Sequence, residues 1–262
     1  MPTPVWDPQQ YLRFADERTR PLHELLARVP ELPAAPVLLD IGCGPGNSTA
    51  ELRRRWPQAA ITGIDNSAEM LATARGERGE PSAAYLLADA AQYDPAPARP
   101  DLIASNATLQ WVDGHLDLLP RWAVALRPGG VLAFQVPGNF EAPSHLLLGE
   151  LRRGPRWRDR LGTEATRAGV HRPEVYLDAL LAAGCTGDVW ETTYSTLLTG
   201  PDPVLEWTKG TALRPVLARL TDPGERAEFL AEYGALLREA YPAGPHGTVF
   251  PFRRIFAVGV KR

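Results

Sequence analysis

Three glycines at alternate positions follow an apolar run that ends in an acid. The glycines are Gly42, Gly44 and Gly46, and the acid is Asp40. Two further acids, Asp65 and Asp89, follow the next two short apolar runs. Such runs predict buried strands, and ligands of doubly wound folds bind where the carboxyl ends of parallel strands meet. We therefore expect the glycine turn and the three carboxylates to surround one ligand.

The residues around the glycines distinguish a nucleotide phosphate, a dinucleotide and S-adenosylmethionine. A phosphate-binding loop continues from its last glycine into lysine, whereas Gly46 continues into Asn47 and Ser48. The alternate glycine spacing differs from the wider dinucleotide pattern, and Asp40 would repel a pyrophosphate. The same carboxylate attracts the ammonium group of S-adenosylmethionine, whose sulfonium is also positive. Asp65 lies about 20 residues after the turn, where an acid reaches ribose hydroxyls, so the pattern favours S-adenosylmethionine.

Other residues of this site are predicted from their place beside the acids. Asp89 is expected to accept a hydrogen bond from the adenine amine, and the backbone N–H of Ala90 to bind a ring nitrogen. Ile41 and Met70 are expected to enclose the base. The predicted cofactor-binding residues are Asp40, Ile41, Gly42, Gly44, Asn47, Asp65, Asn66, Met70, Asp89, Ala90 and Asn106. One alternative stays open for Asp65 and Asp89, because an aspartate at a strand end often caps the following backbone.

Short apolar runs alternate with helical patterns through residue 136, which predicts β-α units and a mostly parallel sheet. Pro21 is expected to interrupt a helix over Asp7–Val29, and Asn66 with Glu69 predicts a capping box. A helix is expected over His115–Leu126, and the last strand over Ile255–Val260.

The alternation, the glycine turn and the three acids resemble the class I S-adenosylmethionine-dependent methyltransferases. The resemblance covers about Val37–Val136 and the final strands. It implies an α/β fold with a doubly wound, Rossmann-like, mostly parallel sheet of seven strands and a helical cover. We expect one methyltransferase domain over residues 1–262. Its predicted parts are an N-terminal helical cap at 1–35, a cofactor-binding core at 36–137, and helical insertions at 138–172 and 200–250 that form the substrate cover.

The composition narrows the partners and the compartment. A net charge of −3 argues against a dedicated nucleic-acid binder. The two cysteines, Cys43 and Cys185, do not suggest a disulfide framework, so a reducing cytoplasm is expected. The N-terminus does not resemble a signal peptide, and the chain lacks the apolar run of about 18 residues that a membrane helix needs. We expect a small-molecule substrate, with no nucleic acid, no membrane and no obligate protein partner.

The stretch from Asn106 to Trp111, after the fourth predicted strand, limits the chemistry of the methyl acceptor. It lacks the Asn/Asp-Pro-Pro-aromatic motif of amino-group methyltransferases of nucleic acids, and it contains no cysteine nucleophile. The histidines lack carboxylate partners at ligand spacing, so no metal is expected. A carboxylate acceptor is ionised at neutral pH and needs no general base. Catalysis is then positioning alone, with no catalytic residue, and cationic side chains are expected to hold the acid. Candidates are Arg18, Arg20, His171, Arg172, Arg253 and Arg254, although any one arginine can equally be a solvated surface charge.

Blocks at both ends of the chain carry a more specific resemblance. They are Trp6-Asp7-Pro8-x-x-Tyr11-Leu12-x-Phe14, Glu17-Arg18-x-Arg20-Pro21, Glu24-Leu25-Leu26-Ala27-Arg28-Val29, Asn106-Ala107-x-Leu109-Gln110-Trp111, Pro137-Gly138-Asn139-Phe140, Val189-Trp190-Glu191-Thr192-Thr193-Tyr194, Gly210-x-x-Leu213-Arg214-Pro215 and Phe250-Pro251-Phe252-Arg253-Arg254-Ile255-Phe256. These blocks resemble the family of trans-aconitate methyltransferases, which implies methylation of a carboxylate of that acid. The predicted substrate-binding residues are Arg20, Trp111, Asn139, His171, Arg253 and Arg254.

Three alternatives remain open from the residues alone. The acceptor could be another carboxylate, such as a malonyl thioester on a carrier protein. It could also be a hydroxyl, with His171 or His145 as the base. The third alternative is a protein that binds S-adenosylmethionine or a dinucleotide without chemistry.

Overall fold

The computed structural model describes residues 15–76, 80–162 and 169–262, with the backbone alone for residues 15–18. The predicted beginning of the first helix, the block from Trp6 to Phe14 and the side chain of Arg18 lie outside the described residues. The described residues separate into two compact units. The core unit contains residues 16–137, 169–192 and 254–262, and the helical unit contains residues 138–162 and 193–253.

Seven strands form one sheet in the described part of the chain, in the order β3-β2-β1-β4-β5-β7-β6. The strands are β1 Val37–Ile41, β2 Ala60–Asp65, β3 Ala84–Leu87, β4 Leu102–Asn106, β5 Val131–Pro137, β6 Asp188–Leu198 and β7 Thr248–Val260. The first five pair in parallel, and β7 runs antiparallel to β5. The predicted doubly wound, mostly parallel sheet of seven strands is confirmed.

The described helices differ between the two units. Those of the core unit are α1 Ala15–Ala27, α2 Asn47–Arg55, α3 Ala68–Ala74, α4 Leu118–Ala125 and α7 Pro173–Ala182. Those of the helical unit are α5 Pro143–Arg153, α6 Arg158–Leu161, α8 Pro203–Lys209, α9 Arg214–Arg219 and α10 Pro223–Ala240. The helical unit covers much of the predicted insertions 138–172 and 200–250, whereas residues 19–35 of the predicted cap belong to the core unit. The division of the chain into a cap, a core and a cover stays a prediction.

Strand β1 pairs with β2 on one side and with β4 on the other, so the strand order reverses at β1. Ligands of open α/β sheets bind in the crevice at such a reversal. The strands are apolar because helices cover both faces of a parallel sheet. Trp122, Phe134 and Tyr176 are fully buried in the core of this unit. A rigid sheet therefore carries the residues that end β1, β2 and β4.

The helical unit has an apolar core of its own, which contains Leu161, Leu213, Phe229 and Tyr233, each fully buried. Its longest helix, α10, begins where Asp222 accepts a hydrogen bond from the backbone N–H of Glu225 at 2.8 Å. A capped helix with a buried apolar face stabilises the unit by itself.

Four local predictions need correction. Helix α1 continues through Pro21. Helix α3 is capped by Ser67 rather than Asn66, because Asp65 binds the backbone N–H of Ser67 and the Ser67 hydroxyl accepts from Met70. The stretch over His115–Leu126 starts as a 3-10 turn, His115–Asp117, before α4. Strand β7 begins at Thr248, seven residues before the predicted start, since alternating buried phenylalanines extend it past Pro251.

Among the described residues, no helix is both long enough and apolar enough to span a lipid bilayer.

Candidate cofactor and acceptor site

The glycine turn joins β1 to α2 with a backbone that most residues avoid. The φ angles of its three glycines are 76°, 54° and 93° for Gly42, Gly44 and Gly46, all in the left-handed region. A Cβ on Gly42 would lie 2.0 Å from Oγ1 of Thr108, whereas a Cβ on Gly44 would meet nothing within 4 Å. Gly42 therefore permits close packing of the turn against the β4 end, and Gly44 faces open space that a ligand can occupy.

Asp40 is buried beneath this turn. Its Oδ2 accepts hydrogen bonds from Oγ of Ser48 and Oγ1 of Thr49, both at 2.7 Å. Its Oδ1 is buried and has no hydrogen-bond partner in the described chain. Burial, partly opposed by the two hydroxyls, raises the pKa of Asp40 from 3.8 to about 6. A buried carboxylate with one unbonded oxygen fits a cationic donor such as the ammonium of S-adenosylmethionine, since such an atom gains most from a charged partner.

Asp65 ties the end of β2 to the glycine turn. Its Oδ2 accepts from the backbone N–H of Gly44 at 2.9 Å, and its Oδ1 accepts from that of Ser67 at 2.9 Å. The strand-end cap considered from the sequence is thus present. A carboxylate oxygen accepts two hydrogen bonds, so each oxygen of this half-buried side chain retains acceptor capacity. Binding of ribose hydroxyls by Asp65 stays a prediction.

The end of β3 keeps its predicted polar groups exposed. Asp89 is exposed and its Oδ1 accepts from the backbone N–H of Ala91 at 2.8 Å. The backbone N–H of Ala90 has no hydrogen-bond acceptor among the described residues. Both groups remain suited to the predicted contacts with adenine.

The predicted apolar enclosure of the base by Ile41 and Met70 stays a prediction. The side chain of Ile41 is fully buried in the core of the sheet, as expected for the last residue of a central parallel strand. Met70 is only 5% exposed. Of the two predicted asparagines, Asn47 is half-buried at the start of α2 and Asn66 is exposed after β2.

The turn after β4 packs on the glycine turn. Oγ1 of Thr108 donates to the carbonyl of Gly42 at 3.3 Å. Ala107 has a φ of 54°, a left-handed conformation that is strained for a residue other than glycine. Its N–H donates to the carbonyl of Gln135 at 3.0 Å, and its carbonyl accepts from Nε2 of Gln110 at 2.6 Å. The strain is therefore held in place by hydrogen bonds at the point where β1 and β4 meet.

Asn106, at the end of β4, is linked to one predicted arginine. Its Oδ1 accepts from Nε2 of Gln135 at 2.6 Å, and Oε1 of Gln135 accepts from Nη1 of Arg254 at 3.3 Å. Arg254 is 6% exposed, so it is a buried arginine rather than a surface charge. The structure brings Asn106 and Arg254 together through a residue that the sequence prediction omitted.

The other predicted substrate residues of the core unit differ in exposure. Trp111 is 50% exposed in the 3-10 turn Leu109–Trp111. Arg20 is exposed on α1, where it pairs with Glu24 at 3.0 Å. Such an exposed pair on one helix face contributes little to stability. A role for Arg20 in substrate binding stays a prediction.

In the helical unit, Asn139 and Arg253 lie together. Oδ1 of Asn139 accepts from the backbone N–H of Arg253 at 2.7 Å, and its Nδ2 donates to the Arg253 carbonyl at 3.0 Å. Asn139 is 4% exposed. Its amide thus holds the backbone of β7 in addition to any role in the predicted pocket.

His171 belongs to a hydrogen-bonded group in the core unit. Its backbone N–H donates to the hydroxyl of Tyr176 at 3.2 Å, and that hydroxyl lies 2.9 Å from Nε2 of His115. Nδ1 of His115 faces the carbonyl of Val112 at 3.3 Å, so it carries the proton and Nε2 accepts from Tyr176. Burial lowers the pKa of His115. His115 is therefore neutral near pH 7 and anchors the segment before α7.

Replacing Tyr176 with phenylalanine should destabilise the protein by about 1–3 kcal/mol, because the buried Nε2 of His115 loses its donor. Chemical denaturation monitored by circular dichroism measures this loss. Tyr93→Phe is the matched control, since its hydroxyl has no hydrogen bond in the described chain. Equal stability of the two variants would contradict the assigned hydrogen bonds.

The sequence prediction also omitted the hydroxyls that orient Asp40. Ser48 and Thr49 follow the glycine turn directly, at the start of α2, where short polar side chains are common for capping reasons alone. Their position eight and nine residues after an acid was the available signal. Among the described residues, no cluster of three histidine, cysteine or acidic side chains could hold a metal.

Comparisons with known proteins agree with this geometry. A family model described as "Methyltransferase domain" matches residues 38–130. A trans-aconitate 2-methyltransferase of Streptomyces avermitilis is 58% identical over 98% of this chain and 97% of its own. Another from Streptomyces coelicolor is 56% identical over 98% of this chain and 87% of its own.

Solved structures show the same fold. A phosphoethanolamine N-methyltransferase 2 of Haemonchus contortus, solved in complex with S-adenosyl-L-methionine, superimposes with a TM-score of 0.57 at 16% identity. The match covers 97% of this chain and 56% of that structure. The fold is that of the class I S-adenosylmethionine-dependent methyltransferases. Within that class, the chain belongs to the trans-aconitate 2-methyltransferase family.

Proposed function

We propose that this chain transfers a methyl group from S-adenosylmethionine to a carboxylate of trans-aconitate and forms a monomethyl ester. The observation that carries the proposal is the 58% identity over 98% of the chain to a relative of that name. The match covers 98% of the chain and so extends well beyond the cofactor motif, which supports the acceptor as well as the cofactor.

The core unit supplies the groups that would hold the cofactor. Asp40 offers a buried, unbonded Oδ1 to an ammonium group, and Gly44 leaves space beside its backbone. Asp65 and Asp89 would bind the ribose and the adenine. When bound, S-adenosylmethionine supplies a methyl group activated by its sulfonium. The chain's own task is to orient the acceptor oxygen and to exclude water.

The chemistry needs no base from the protein, because an acceptor carboxylate is already ionised at neutral pH. Burial lowers the pKa of His145 to about 4 and also lowers that of His115. Neither histidine is poised near neutral pH, as an efficient general base is. The shift at His145 argues against that histidine as the base for a hydroxyl acceptor.

The decisive measurement is methyl transfer to trans-aconitate, compared with citrate, isocitrate, itaconate and a malonyl carrier protein. We expect trans-aconitate to have the highest kcat/KM, and the position of the ester follows from NMR of the product. At saturating cofactor and acid, kcat should vary little between about pH 7 and 8, since an ionised carboxylate acceptor needs no general base. Turnover of the malonyl carrier alone, or of no carboxylate at all, would refute the proposal.

The cytoplasm is the compartment that we propose for this reaction. Both cysteines are free and buried, which suits a reducing environment. We further propose that a small acid is the sole acceptor, with no nucleic acid, membrane or obligate protein partner. The net charge of −3 supports this view.

A further inference from the structure

We propose that Gln135 is a positioning residue, which turns the side-chain amide of Asn106 so that its Nδ2 donates to a carboxylate of the acceptor. The inference rests on the proposed function for the identity of that acid. It also reassigns Asn106, which the sequence predicted to bind the cofactor.

Hydrogen bonds link Arg254 to Gln135 and Gln135 to Asn106, and we call these three residues the relay. Asn106 is the last residue of β4 and lies opposite Gln135 on β5. Arg254 lies opposite Pro137, the last residue of β5. All three therefore stand at the carboxyl ends of the parallel strands, where ligands of this fold class bind.

The relay fixes the orientation of each amide. An arginine can only donate hydrogen bonds, so the Gln135 atom at 3.3 Å from Nη1 of Arg254 must be the oxygen. Nε2 of Gln135 then faces Asn106 and must meet an acceptor, Oδ1, at 2.6 Å. Nδ2 of Asn106 consequently points away from Gln135. No described residue accepts a hydrogen bond from Nδ2, and Asn106 is half-buried.

Burying the polar side chain of Gln135 costs folding free energy, which suggests that it is kept for a function. Gln135 is 1% exposed and its strand neighbours Phe134 and Val136 are fully buried. Polar side chains in such a place destabilise a sheet unless they are fully hydrogen-bonded, and an apolar residue would fill the position at lower cost. The backbone carbonyl of Gln135 also accepts from the strained Ala107. Gln135 thus controls both the side chain and the backbone at the β4 end.

Because Nδ2 of Asn106 is a hydrogen-bond donor, it limits which ligand atoms can bind there. An N–H donor binds an anionic oxygen and is unsuited to an ammonium or sulfonium group. Two sources of such an oxygen exist, the acceptor acid and the methionyl carboxylate of the cofactor. We assign the acceptor, because the buried cation of Arg254 lies in the same relay and a multiply charged acid gains most from it.

The test uses two nearly isosteric variants. Asn106→Asp still accepts from Gln135 but presents an oxygen where the wild type presents Nδ2. Gln135→Glu accepts from Arg254 but cannot donate, so the Asn106 amide should rotate and present its oxygen. For each variant, calorimetry gives the Kd of trans-aconitate for protein saturated with S-adenosylhomocysteine, and separately the Kd of S-adenosylhomocysteine. We expect the acid to bind about 10- to 100-fold more weakly in both variants, the range for a lost hydrogen bond to a charged group. Cofactor affinity should change less than about 3-fold.

A double-mutant cycle separates positioning from a merely structural role. In an Asn106→Ala background, where no amide remains to be turned, Gln135→Glu should weaken acid binding much less than it does in the wild type, because only the effect of its added charge beside Arg254 remains. Equal effects of Gln135→Glu in both backgrounds would overturn the proposal. A loss confined to S-adenosylhomocysteine would overturn the assignment to the acceptor.

Gln58→Glu is the control for the added charge, since Gln58 is exposed in the turn before β2, at the opposite end of the strands. If Gln135→Glu does not fold, the half-exposed Asn106→Asp variant still decides the matter, because unchanged acid binding there refutes the donor role. Wild-type turnover of trans-aconitate tests the proposed function independently of these variants.

Discussion

Replacing Gly42 with alanine is expected to lower the free energy of unfolding by several kcal/mol. The new Cβ would lie 2.0 Å from Oγ1 and 2.6 Å from Cβ of Thr108, so the turn after β4 has to move. A left-handed φ of 76° adds about 1–2 kcal/mol for alanine, and overpacking adds about 1–3 kcal/mol. We expect a total loss of about 2–5 kcal/mol in the free energy of unfolding, measured by urea denaturation.

Gly44 provides the matched comparison within the same turn. Its φ is 54°, but a Cβ there meets nothing within 4 Å, so only the conformational term of about 1–2 kcal/mol applies. The added methyl group would instead occupy the space proposed for the cofactor. Gly44→Ala should therefore remain folded and bind S-adenosylhomocysteine at least about 10-fold more weakly, since displaced contacts at a backbone cradle are not recovered.

Gly129→Ala controls for the conformational term alone. Gly129 has a φ of 75°, has no atom within 4 Å of an added Cβ and lies before β5, at the other end of the strands. It should lose the same small stability as Gly44→Ala while binding the cofactor normally. Cofactor binding that is equal in Gly44→Ala and Gly129→Ala would contradict the proposed place of the ligand.

The ionisation of Asp40 should affect both the folding stability and the cofactor affinity, and these two quantities should change with pH in opposite directions. The pKa of Asp40 rises on folding from 3.8 to about 6. The folded state therefore binds this proton more tightly than the unfolded chain, so the stability linked to it is present below about pH 4 and is lost as the pH rises through about 6. The rise corresponds to about 3 kcal/mol, as an order of magnitude. Cofactor affinity should change in the other direction, because only the ionised carboxylate attracts an ammonium group.

Asp40→Asn tests both dependences at once. The difference in unfolding free energy between wild type and variant should shift by about 3 kcal/mol between about pH 4 and pH 7, in favour of the wild type at the acidic end. The variant should bind S-adenosylhomocysteine about 10- to 100-fold more weakly at pH 8, without the loss of affinity below pH 6 that we expect of the wild type. Ser48→Ala, which removes one hydroxyl from Oδ2, should have an intermediate effect on binding. Parallel pH profiles for wild type and Asp40→Asn would show that another group is responsible.

The parts of the fold that local sequence determines were predictable. Short apolar runs through residue 136 predicted the β-α units that form the five parallel strands, since buried parallel strands leave a direct hydrophobic pattern. The start of β7 was missed because Pro251 and Arg253 interrupt the apolar pattern, although Phe250 and Phe252 are buried.

Candidate site residues could be predicted from the sequence where the residue type and its position suit only a few ligands. Asp40 and the glycines could be recognised because few ligands suit an acid beside a cradle of positive-φ residues. The relay from Arg254 through Gln135 to Asn106 could not, because it joins residues 119 and 29 positions apart through strand register alone.

The strands next to β7 in the sheet are not paired in the order in which they are synthesised. During translation, β5 and then β6 leave the ribosome before β7, yet β7 lies between them in the sheet. A nascent chain can pair its first five strands as they emerge, whereas the outer edge of β5 keeps unpaired backbone groups until the last strand arrives. Arg254 enters the relay with that strand. The residue that completes the proposed relay therefore arrives with the strand that closes this edge of β5.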